Sequence, residues 1–432
     1  MSSIQWESGL LLTQVLVAGI YFGQMLRYRR AWLALRPRQH VLTGQGAGET
    51  SEREALNDYV QLVSGSPLVT NSKEHCSPAK YAVSDPHGAQ QLVAPAFSIL
   101  IAARNEAENL PHLLADLRQQ LPVSGGIEVL VVDDHSTDAT AAIVQSAVST
   151  MPFPVRLLQL AQLPGARTGK KAAVQAAVQA AQAPWVLLTD ADCRVPTGWV
   201  QAYASLAANP AVQFISGPVL LTGTGWLATL QGLELAGLVG VGAASIGLQQ
   251  PTMCNGANLA YRRAAFAAVE GFRGNEAVPS GDDEFLLHKI HAAFPGGVRF
   301  LQEQQAIVRT AAQPTLRQLL WQRVRWASKW RHYQAAAPQR LAVLVLLANL
   351  TFPIGLGLGL WLSGASAGWL APLVWGLKLA GDMLFLRPVL QFLGRPQWVR
   401  WVPVLQLAYA PYALATGLLG LRGGYVWKGR QT

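Results

Sequence analysis

Residues Trp185–Asp192 read WVLLTDAD, a short apolar run that ends in two carboxylates on either side of one alanine. A run of this length and composition is typical of a buried strand. Asp190 and Asp192 follow directly, and two carboxylates at a strand end can hold a hard divalent cation. Because a lone pair of this kind is common by chance, its interpretation depends on the surrounding sequence.

Short apolar runs of similar composition, which also predict strands, recur before and after this stretch. Segments with helical periodicity separate them. Leu110, Leu113, Leu114, Leu117 and Leu121 fall at helical spacing between the first two strands. The predicted strands are 97–101, 127–132, 155–160, 185–189 and 211–216. This alternation predicts an α/β fold with a mostly parallel sheet and helices on both faces. In such sheets, ligands bind at the carboxyl ends of the strands.

Charged residues follow the other predicted strands at that same edge. Asp133 and Asp134 end the second strand within VVDDHSTD, and adjacent carboxylates repel each other unless they bind something. The following 136–138 (STD) is suited to cap the next helix. Arg104 and Glu106 follow the first strand within AARNE. These motifs place charged groups where a ligand is expected.

Two further motifs point to phosphate binding and to proton transfer. Lys170, within GKK, opens the helix between the third and fourth strands. A lysine there opposes the helix dipole, whereas a bound phosphate would pair with it. The stretch 280–284 reads SGDDE. Acidic residues at the start of a helix stabilise it, so stability alone could explain them. One of them can also be the general base that takes the proton of an acceptor hydroxyl.

The last motif is QRVRW, in which Gln322 and Arg325 share a helical face and Trp326 lies one turn beyond Gln322. Trp321 and Trp330 could instead belong to an aromatic belt at a membrane interface. That alternative does not account for the whole cluster, so a role at the ligand site stays open beside it.

The composition indicates a membrane protein. The chain is 51% hydrophobic and only 13% charged, against about 25% charged residues in ordinary soluble domains. The net charge of +10 comes from basic residues beside apolar runs, as at 27–38, and not from the basic and aromatic stripe of a nucleic-acid binder. We therefore expect a lipid bilayer as a partner and no nucleic acid. Cys76, Cys193 and Cys254 form no disulfide framework and fit a reducing cytoplasm.

Apolar segments flank the α/β region on both sides. The run 10–26 precedes the basic cluster and predicts an uncleaved anchor with its N-terminus outside. The later runs 341–362, 369–386 and 401–421 are each near the ~20 residues that a span needs. Basic residues favour a cytoplasmic position for both the 387–400 loop and the C-terminus, so the number of crossings stays open. The run 226–249 would separate the acidic motifs if it crossed, so we expect it to pack on the domain.

Lys378 and Asp382 lie one turn apart in the middle of these C-terminal runs. Charges within a span are costly, so we expect the two to form an i,i+4 pair that faces other helices. A role in the passage of a lipid or glycan is the alternative. The polar stretch 40–95 carries no periodicity and is typical of a linker.

Taken in this order, the motifs resemble family 2 glycosyltransferases with the GT-A fold over about 97–333, and especially the membrane-embedded cellulose, hyaluronan and poly-N-acetylglucosamine synthases. The resemblance implies a Rossmann-like mixed α/β sheet flanked by transmembrane helices. The implied domains are an anchor (1–30), a polar linker or insertion (31–95), a GT-A domain (96–338) and a C-terminal membrane region (339–432). The implied location is the inner or plasma membrane with the catalytic domain in the cytoplasm.

The resemblance also implies a role for each matching residue. Arg104, Glu106, Asp133, Asp134, Lys170 and Asp190 would bind the nucleotide-sugar donor, and Asp190 and Asp192 would hold Mg²⁺ or Mn²⁺, with Asp192 favoured as the direct ligand. Asp283 would be the catalytic base. Gln322, Arg325, Trp326, Asp282, Asn255 and Asn258 would lie at the diphosphate and the acceptor.

The implied reaction is an inverting transfer of a hexose or N-acetylhexosamine from a UDP donor. The QxxRW motif favours a glycan acceptor in polysaccharide or exopolysaccharide synthesis, with polysaccharide-export proteins as candidate partners. The chain has no second cytoplasmic domain and few spans, and WKGR at 427–430 resembles ceramide glucosyltransferase, so a lipid or polyprenyl-linked acceptor is the alternative. A catalytically inactive membrane scaffold is a third hypothesis, although no acid of either motif is missing.

Overall fold

The structure is a computed structural model. It describes residues 3–35, 81–84, 90–93, 95–165, 168–276, 278, 280–329, 335–361, 370–422, 426–427 and 430–431. The chain forms two compact units, 37–92 in one and the remainder in the other. The described part of the smaller unit comprises strand β1 (Tyr81–Ser84) and all but the last residue of strand β2 (Gln90–Val93), which pair with each other. Most of the predicted 31–95 linker lies outside the described residues, as do Cys76 and Trp330.

The larger unit is built on a mixed sheet of seven strands with buried apolar side chains. In spatial order they are β11 (Val298–Phe300), β8 (Phe214–Ser216), β10 (Leu259–Arg262), β6 (Trp185–Asp190), β3 (Phe97–Ala103), β4 (Ile127–Asp133) and β5 (Val155–Gln159). Strands β6, β3, β4 and β5 pair in parallel, whereas β10 runs antiparallel to both its neighbours. A separate sheet has three strands, in the order β7 (Cys193–Arg194), β12 (Val308–Ala311) and β9 (Val219–Thr222). In sequence, these strands occur between strands of the larger sheet or after them. This mixed arrangement fits the predicted GT-A fold.

The helices of the larger unit fall into a first group within the α/β region and a second, apolar group. The first comprises α2 (Leu110–Arg118), α3 (Thr140–Ala147), α4 (Lys170–Ala180), α5 (Trp199–Ala207), α7 (Arg263–Ala268), α8 (Asp282–Ala293) and α9 (Leu316–Ser328). The second comprises α1 (Ser3–Ala34), α6 (Gly225–Gly247), α10 (Ala336–Trp361), α11 (Leu370–Phe392) and α12 (Val402–Arg422). Short 3-10 turns lie at Leu160–Gln162, Gln304–Ala306 and Pro396–Trp401, and the last strands are β13 (Val426–Trp427) and β14 (Arg430–Gln431).

Strand register brings the motifs to one edge of the sheet. Ala103 at the end of β3 pairs with Asp133 at the end of β4, and Ala102 pairs with Asp190 at the end of β6. Because β10 is antiparallel, its beginning lies at this edge, where Leu259 pairs with Leu188. The loop that precedes β10 therefore reaches the same edge as the acidic motifs.

The predicted strands are confirmed, and the bounds of one strand and one helix are corrected. The strand expected at 211–216 begins only at Phe214. Leu121 does not continue the leucine stripe of α2, because that helix ends at Arg118. Leu121 is instead 44% exposed, and its N–H donates to the carbonyl of Thr197 at 2.9 Å. Helical spacing cannot show where a helix stops.

Helix α1 packs through one stripe of residues against α11. Ala18, Tyr21, Met25, Tyr28 and Trp32 recur every three or four residues and are buried, as helical periodicity requires. The Tyr28 ring lies 6.1 Å from that of Phe385, and Trp32 meets Phe392 edge to face at 5.5 Å. The expected Lys378–Asp382 pair is confirmed with an N–O distance of 2.9 Å.

Two of the described helical segments are long and apolar enough to cross a membrane, namely Gly225–Gly247 and Pro396–Gly420. The first is 56% buried and contacts α1 and strand β9. The expectation that this segment packs on the domain agrees with these contacts. Neither segment is the anchor predicted at 10–26, and length and composition alone do not place either segment in a bilayer, so the membrane location stays a prediction.

Candidate active site

A cavity of about 590 Å³ lies at the edge of the sheet where the motifs meet. This volume is within the range of ligand pockets, roughly 300–1,000 Å³. The sequence-predicted residues that line it are Lys170, Asp190, Asp192, Asn255, Asp282, Asp283, Gln322, Arg325 and Trp326. Asp192 and Asp283, which are far apart in sequence, therefore face one space on the same side of the molecule.

The carboxylates of Asp190 and Asp192 form the candidate metal site. Each of these residues and Cys193 offers a ligand atom, and the three atoms lie within 4.8 Å of one another. Burial, with the neighbouring charges of Asp190 and Asp192, raises the pKa of the Cys193 thiol well above its ordinary value. A protonated thiol is a poor ligand for a hard cation. The donor set that fits Mg²⁺ or Mn²⁺ is therefore the two carboxylates.

Lys170 connects this pair of carboxylates to the next acidic motif. Its ammonium lies 2.6 Å from Oδ1 of Asp190 and 3.7 Å from Oδ2 of Asp282. Burial alone would lower the pKa of Lys170, but these two carboxylates outweigh burial and raise it. The lysine is thus a fixed positive charge at the first residue of α4. It is suited to pair with a phosphate oxygen in the cavity.

Asp283 is held as a carboxylate at the start of α8. The N–H of Gly256 donates to its Oδ2 at 2.8 Å, and the N–H of Glu284 donates to its Oδ1 at 2.8 Å. Burial would raise the pKa of Asp283, but the charges of Lys329 and Lys170 and these N–H groups outweigh burial and lower it. Asp283 is therefore ionised at neutral pH, as a general base must be.

The pKa of the adjacent Asp282 is shifted in the opposite direction from that of Asp283. Burial raises the pKa of Asp282, and although the charge of Lys170 opposes this, burial together with the charges of Asp283 and Asp190 outweighs it. Gly281 precedes both acids with φ of +81°, a conformation that favours glycine. A Cβ at Gly281 would also lie 2.7 Å from the Phe285 ring. The glycine of the SGDDE motif is thus required to aim the two acids at the cavity.

Helix α9 supplies the opposite wall. The Thr315 hydroxyl caps the helix by accepting from the N–H of Gln318 at 3.3 Å. Arg323 anchors the helix, because it pairs with Glu234 at 2.8 Å and stacks 4.1 Å over the Trp326 ring. Gln322, Arg325 and Trp326 of the same helix line the cavity.

Sequence reasoning assigned no role to Lys329, which also lines the cavity. Its ammonium lies 3.1 Å from the Glu284 carboxylate. Burial would lower the pKa of Lys329, but Glu284 and Asp283 outweigh burial and raise it. The sequence feature that could have identified Lys329 as a site residue is its spacing, because Lys329 follows Gln322 and Arg325 at helical intervals.

The predicted nucleotide-binding residues Arg104, Glu106, Asp133 and Asp134 do not line this cavity. They form an adjoining network at the same sheet edge, where Glu106, Asp133 and Asp134 are buried. The Arg104 guanidinium donates to the Asp134 carbonyl at 2.9 Å. The Asp134 carboxylate accepts from the N–H of Gly169 at 3.0 Å. This contact links the network to the residue before Lys170.

The two asparagines of the loop before β10 have different environments. Asn255 lines the cavity. Asn258 does not, which corrects the acceptor-side assignment of its side chain, because it is fully buried and bonded to the protein. Its Oδ1 accepts from Trp199 at 2.9 Å and Tyr203 at 2.8 Å, and its Nδ2 donates to the carbonyl of Pro218 at 2.7 Å. Asn258 fixes the loop and does not face a ligand.

Two family models match the chain. The model of "Glycosyl transferase family 2" matches residues 98–269, and that of "Glycosyl transferase family group 2" matches residues 185–418. Together they cover the strand-end motifs, the cavity and the C-terminal apolar helices. The second match alone covers more than half of the chain.

Several individual proteins are similar to the chain. A dolichyl-phosphate beta-glucosyltransferase of Dictyostelium discoideum is 30% identical over 102 residues, which are 22% of this chain and 30% of that enzyme. The mannosyltransferase PcManGT of Pyrobaculum calidifontis, solved with GDP-Man and Mn²⁺, is 18% identical with a TM-score of 0.49, covering 95% of this chain and 99% of that one. TarS (1–349) of S. aureus is 15% identical with a TM-score of 0.39, covering 78% and 95%.

Proposed function

The chain belongs to glycosyl transferase family group 2, and on that basis we propose that it is a membrane-bound inverting glycosyltransferase in which Asp283 activates the acceptor hydroxyl. As a family 2 glycosyltransferase it transfers a sugar from a nucleotide donor. The base, the metal ligands, the membrane location and the acceptor class are the parts that we propose. The observation that carries the proposal is the Asp283 carboxylate, held by two backbone N–H groups, in one cavity with Lys170, Asp190 and Asp192.

The proposed reaction is one displacement at the anomeric carbon. Asp283 takes the proton of the acceptor hydroxyl, whose oxygen attacks as the nucleoside diphosphate leaves. Lys170 and Arg325 line the same cavity and would stabilise the negative charge on the leaving diphosphate. A single displacement inverts the anomeric centre. A product of retained configuration would contradict this assignment.

Asp190 and Asp192 would hold Mg²⁺ or Mn²⁺. When bound, such an ion neutralises charge on the diphosphate oxygens. Arg104, Glu106, Asp133 and Asp134 would bind the nucleotide base and ribose. The hydrogen bond from the Gly169 N–H to the Asp134 carboxylate supports this role, because it joins this network to the residue before Lys170.

The outward faces of α1, α10, α11 and α12 support the membrane location. Large apolar side chains on these helices are at least 37% exposed: Leu12, Val15, Leu16, Ile20, Val343, Leu346, Leu347, Ile354, Leu373, Leu384, Val404, Leu407, Leu414, Leu418 and Leu419. Apolar surface of this extent is unusual on a soluble protein and suits contact with lipid. Arg27, Arg29 and Arg30 near the end of α1 favour a cytoplasmic catalytic domain.

The acceptor is either the hydroxyl of a glycan or that of a lipid. Gln322, Arg325 and Trp326 in the cavity support the glycan, and thus polysaccharide synthesis with export partners. The name of the Dictyostelium relative, which matches over only part of its length, supports a lipid-linked acceptor. The contacts behind the catalytic cavity favour the lipid, as described in the next subsection.

A donor panel tests the proposed function. The purified full chain is incubated with UDP-glucose, UDP-N-acetylglucosamine and GDP-mannose, with Mn²⁺ or with EDTA. We expect metal-dependent release of nucleoside diphosphate from at least one donor. Absence of release from every donor would instead support an inactive membrane scaffold.

A further inference from the structure

A second cavity, of about 360 Å³, lies between the apolar helices directly behind the catalytic cavity. Four residues line both cavities: Leu238, Met253, Glu284 and Trp326. Glu284 is the residue next to Asp283, so the second cavity begins one residue from the proposed base. An occupant of the second cavity could therefore extend to the reacting centre past Met253 and Trp326.

The walls of the second cavity are largely apolar. They come mainly from α1, α6, α10, α11 and α12, and include Leu341, Val345, Phe385 and Leu405. Leu341 and Val345 alternate along α10 with Val343, Leu346 and Leu347, whose side chains are 40–51% exposed. The cavity thus lies just inside the apolar surface that we assign to the membrane. A hydrocarbon chain from the bilayer is the chemistry that matches such walls.

Each charged group that lines the second cavity is already paired within the protein. Glu234 pairs with Arg323 at 2.8 Å, and Glu284 pairs with Lys329 at 3.1 Å. Lys378 pairs with Asp382 at 2.9 Å, and the Tyr21 hydroxyl also donates to Asp382, at 2.5 Å. Burying a further charge there would be costly unless it were paired. The occupant is therefore neutral.

The junction of the two cavities is acidic. Asp282, Asp283 and Glu284 follow one another there, and Lys170 and Lys329 already neutralise part of their charge. A phosphate head group would meet carboxylates at this point, whereas a hydroxyl can donate to one. A hydroxyl also needs a base such as Asp283, but an ionised phosphate does not.

From these contacts we propose that the acceptor is a neutral lipid alcohol whose chain occupies the second cavity and whose hydroxyl reaches Asp283. This inference rests on the proposed function, because it names the acceptor of the same reaction. The proposal excludes two other classes of acceptor, namely soluble glycans and lipid phosphates.

The test uses hexadecanol that carries a photoreactive diazirine in mid-chain. The full-length protein is labelled in nanodiscs and the adducts are mapped by mass spectrometry. We expect adducts at Met253, Val345 or Leu405. Unlabelled hexadecanol should displace the probe at least about tenfold better than hexadecyl phosphate, and cellotetraose should not displace it.

Two matched variants locate the probe. Val345→Trp fills the second cavity and should remove the adducts there, whereas Val343→Trp on the outward face of α10 should retain them. Adducts confined to outward residues such as Leu346 and Leu347 in wild type would overturn the proposal. Better displacement by hexadecyl phosphate or by cellotetraose would also overturn it.

Donor hydrolysis is measured in the same preparations without acceptor. If hydrolysis occurs but the second cavity stays unlabelled, only the lipid inference fails. If hydrolysis is absent, the proposed function fails, and this failure is distinct because labelling requires no turnover. With active protein, we also expect hexadecanol to yield a sugar product that Val345→Trp reduces at least about tenfold and Val343→Trp does not.

Discussion

The backbone N–H of Gly256 donates a hydrogen bond to Oδ2 of Asp283 at 2.8 Å. The two residues are 27 positions apart, and the contact joins the loop before β10 to the start of α8. A Cβ at Gly256 would lie 3.1 Å from Lys170 Nζ and 3.4 Å from Asp283 Oδ2. Glycine thus lets the backbone approach both the proposed base and the proposed phosphate-binding lysine.

Asp283→Asn should lower kcat by about 10²–10⁴-fold, the usual contribution of a general base. Donor affinity should stay within about threefold, because the amide is nearly isosteric and Lys170 keeps its bonds to Asp190 and Asp282. Turnover is measured by product formation, and donor affinity by isothermal titration calorimetry.

The matched control for this carboxylate-to-amide change is Glu270→Gln. Glu270 forms an exposed ion pair with Arg273, and its side chain is 62% exposed. This control should retain wild-type kcat, because exposed pairs contribute little. Near-normal turnover in Asp283→Asn would show that another group removes the proton.

Asp192→Asn should weaken Mn²⁺ binding by more than about 100-fold, since loss of an indirect partner of a metal already costs about 10–100-fold. Cys193→Ser should retain Mn²⁺ affinity, because burial keeps the Cys193 thiol protonated. Electron paramagnetic resonance of free Mn²⁺ measures both affinities without turnover. Equal affinities in the two variants would argue against a carboxylate metal site.

The motifs that were predicted correctly are those fixed by local sequence. Asp190 and Asp192 follow a buried strand, and the acids of 280–284 follow a glycine. The local sequence therefore indicates the strand end in the first motif and the helix start in the second. Parallel pairing then brings the strand ends to one edge. The sequence could therefore predict that these residues meet in one site, as the shared cavity confirms.

The remaining parts of the site depend on contacts that no local pattern encodes. Asn258 resembles a polar loop residue in sequence, yet Trp199 and Tyr203 from α5 enclose it. The pairing of Lys329 with Glu284 joins two helices whose approach is set by tertiary packing. The second cavity is likewise formed by helices from the beginning, the middle and the end of the chain.

Lys170→Gln should lower kcat by about 10²-fold, because it removes one stabilising charge from the leaving diphosphate. It should not weaken Mn²⁺ binding, since it frees the Asp190 oxygen that Lys170 contacts at 2.6 Å. Lys289→Gln, which removes an ammonium that donates to the carbonyls of Gly271 and Arg273, is the control and should retain kcat. Loss of Mn²⁺ affinity in Lys170→Gln would show that Lys170 organises the metal site instead.

Acidification should destabilise the fold through His288 on α8. Burial lowers the pKa of His288 to about 4, against about 6.5 in an unfolded chain. Between these values the unfolded chain binds a proton that the folded chain does not. The stability due to neutral His288 is therefore complete above pH 6.5 and is lost as the pH falls towards 4, by up to about 3 kcal/mol.

Thermal melting of the detergent-solubilised protein at several pH values between 7 and 4.5 measures this effect. Wild type should melt at progressively lower temperature as the pH falls, and His288→Gln should show a smaller fall, because glutamine does not titrate. His112→Gln, at an exposed position of α2, is the matched control and should keep the wild-type slope. An equal slope in wild type and His288→Gln would show that other groups, among them the carboxylates of the catalytic cavity, govern acid unfolding.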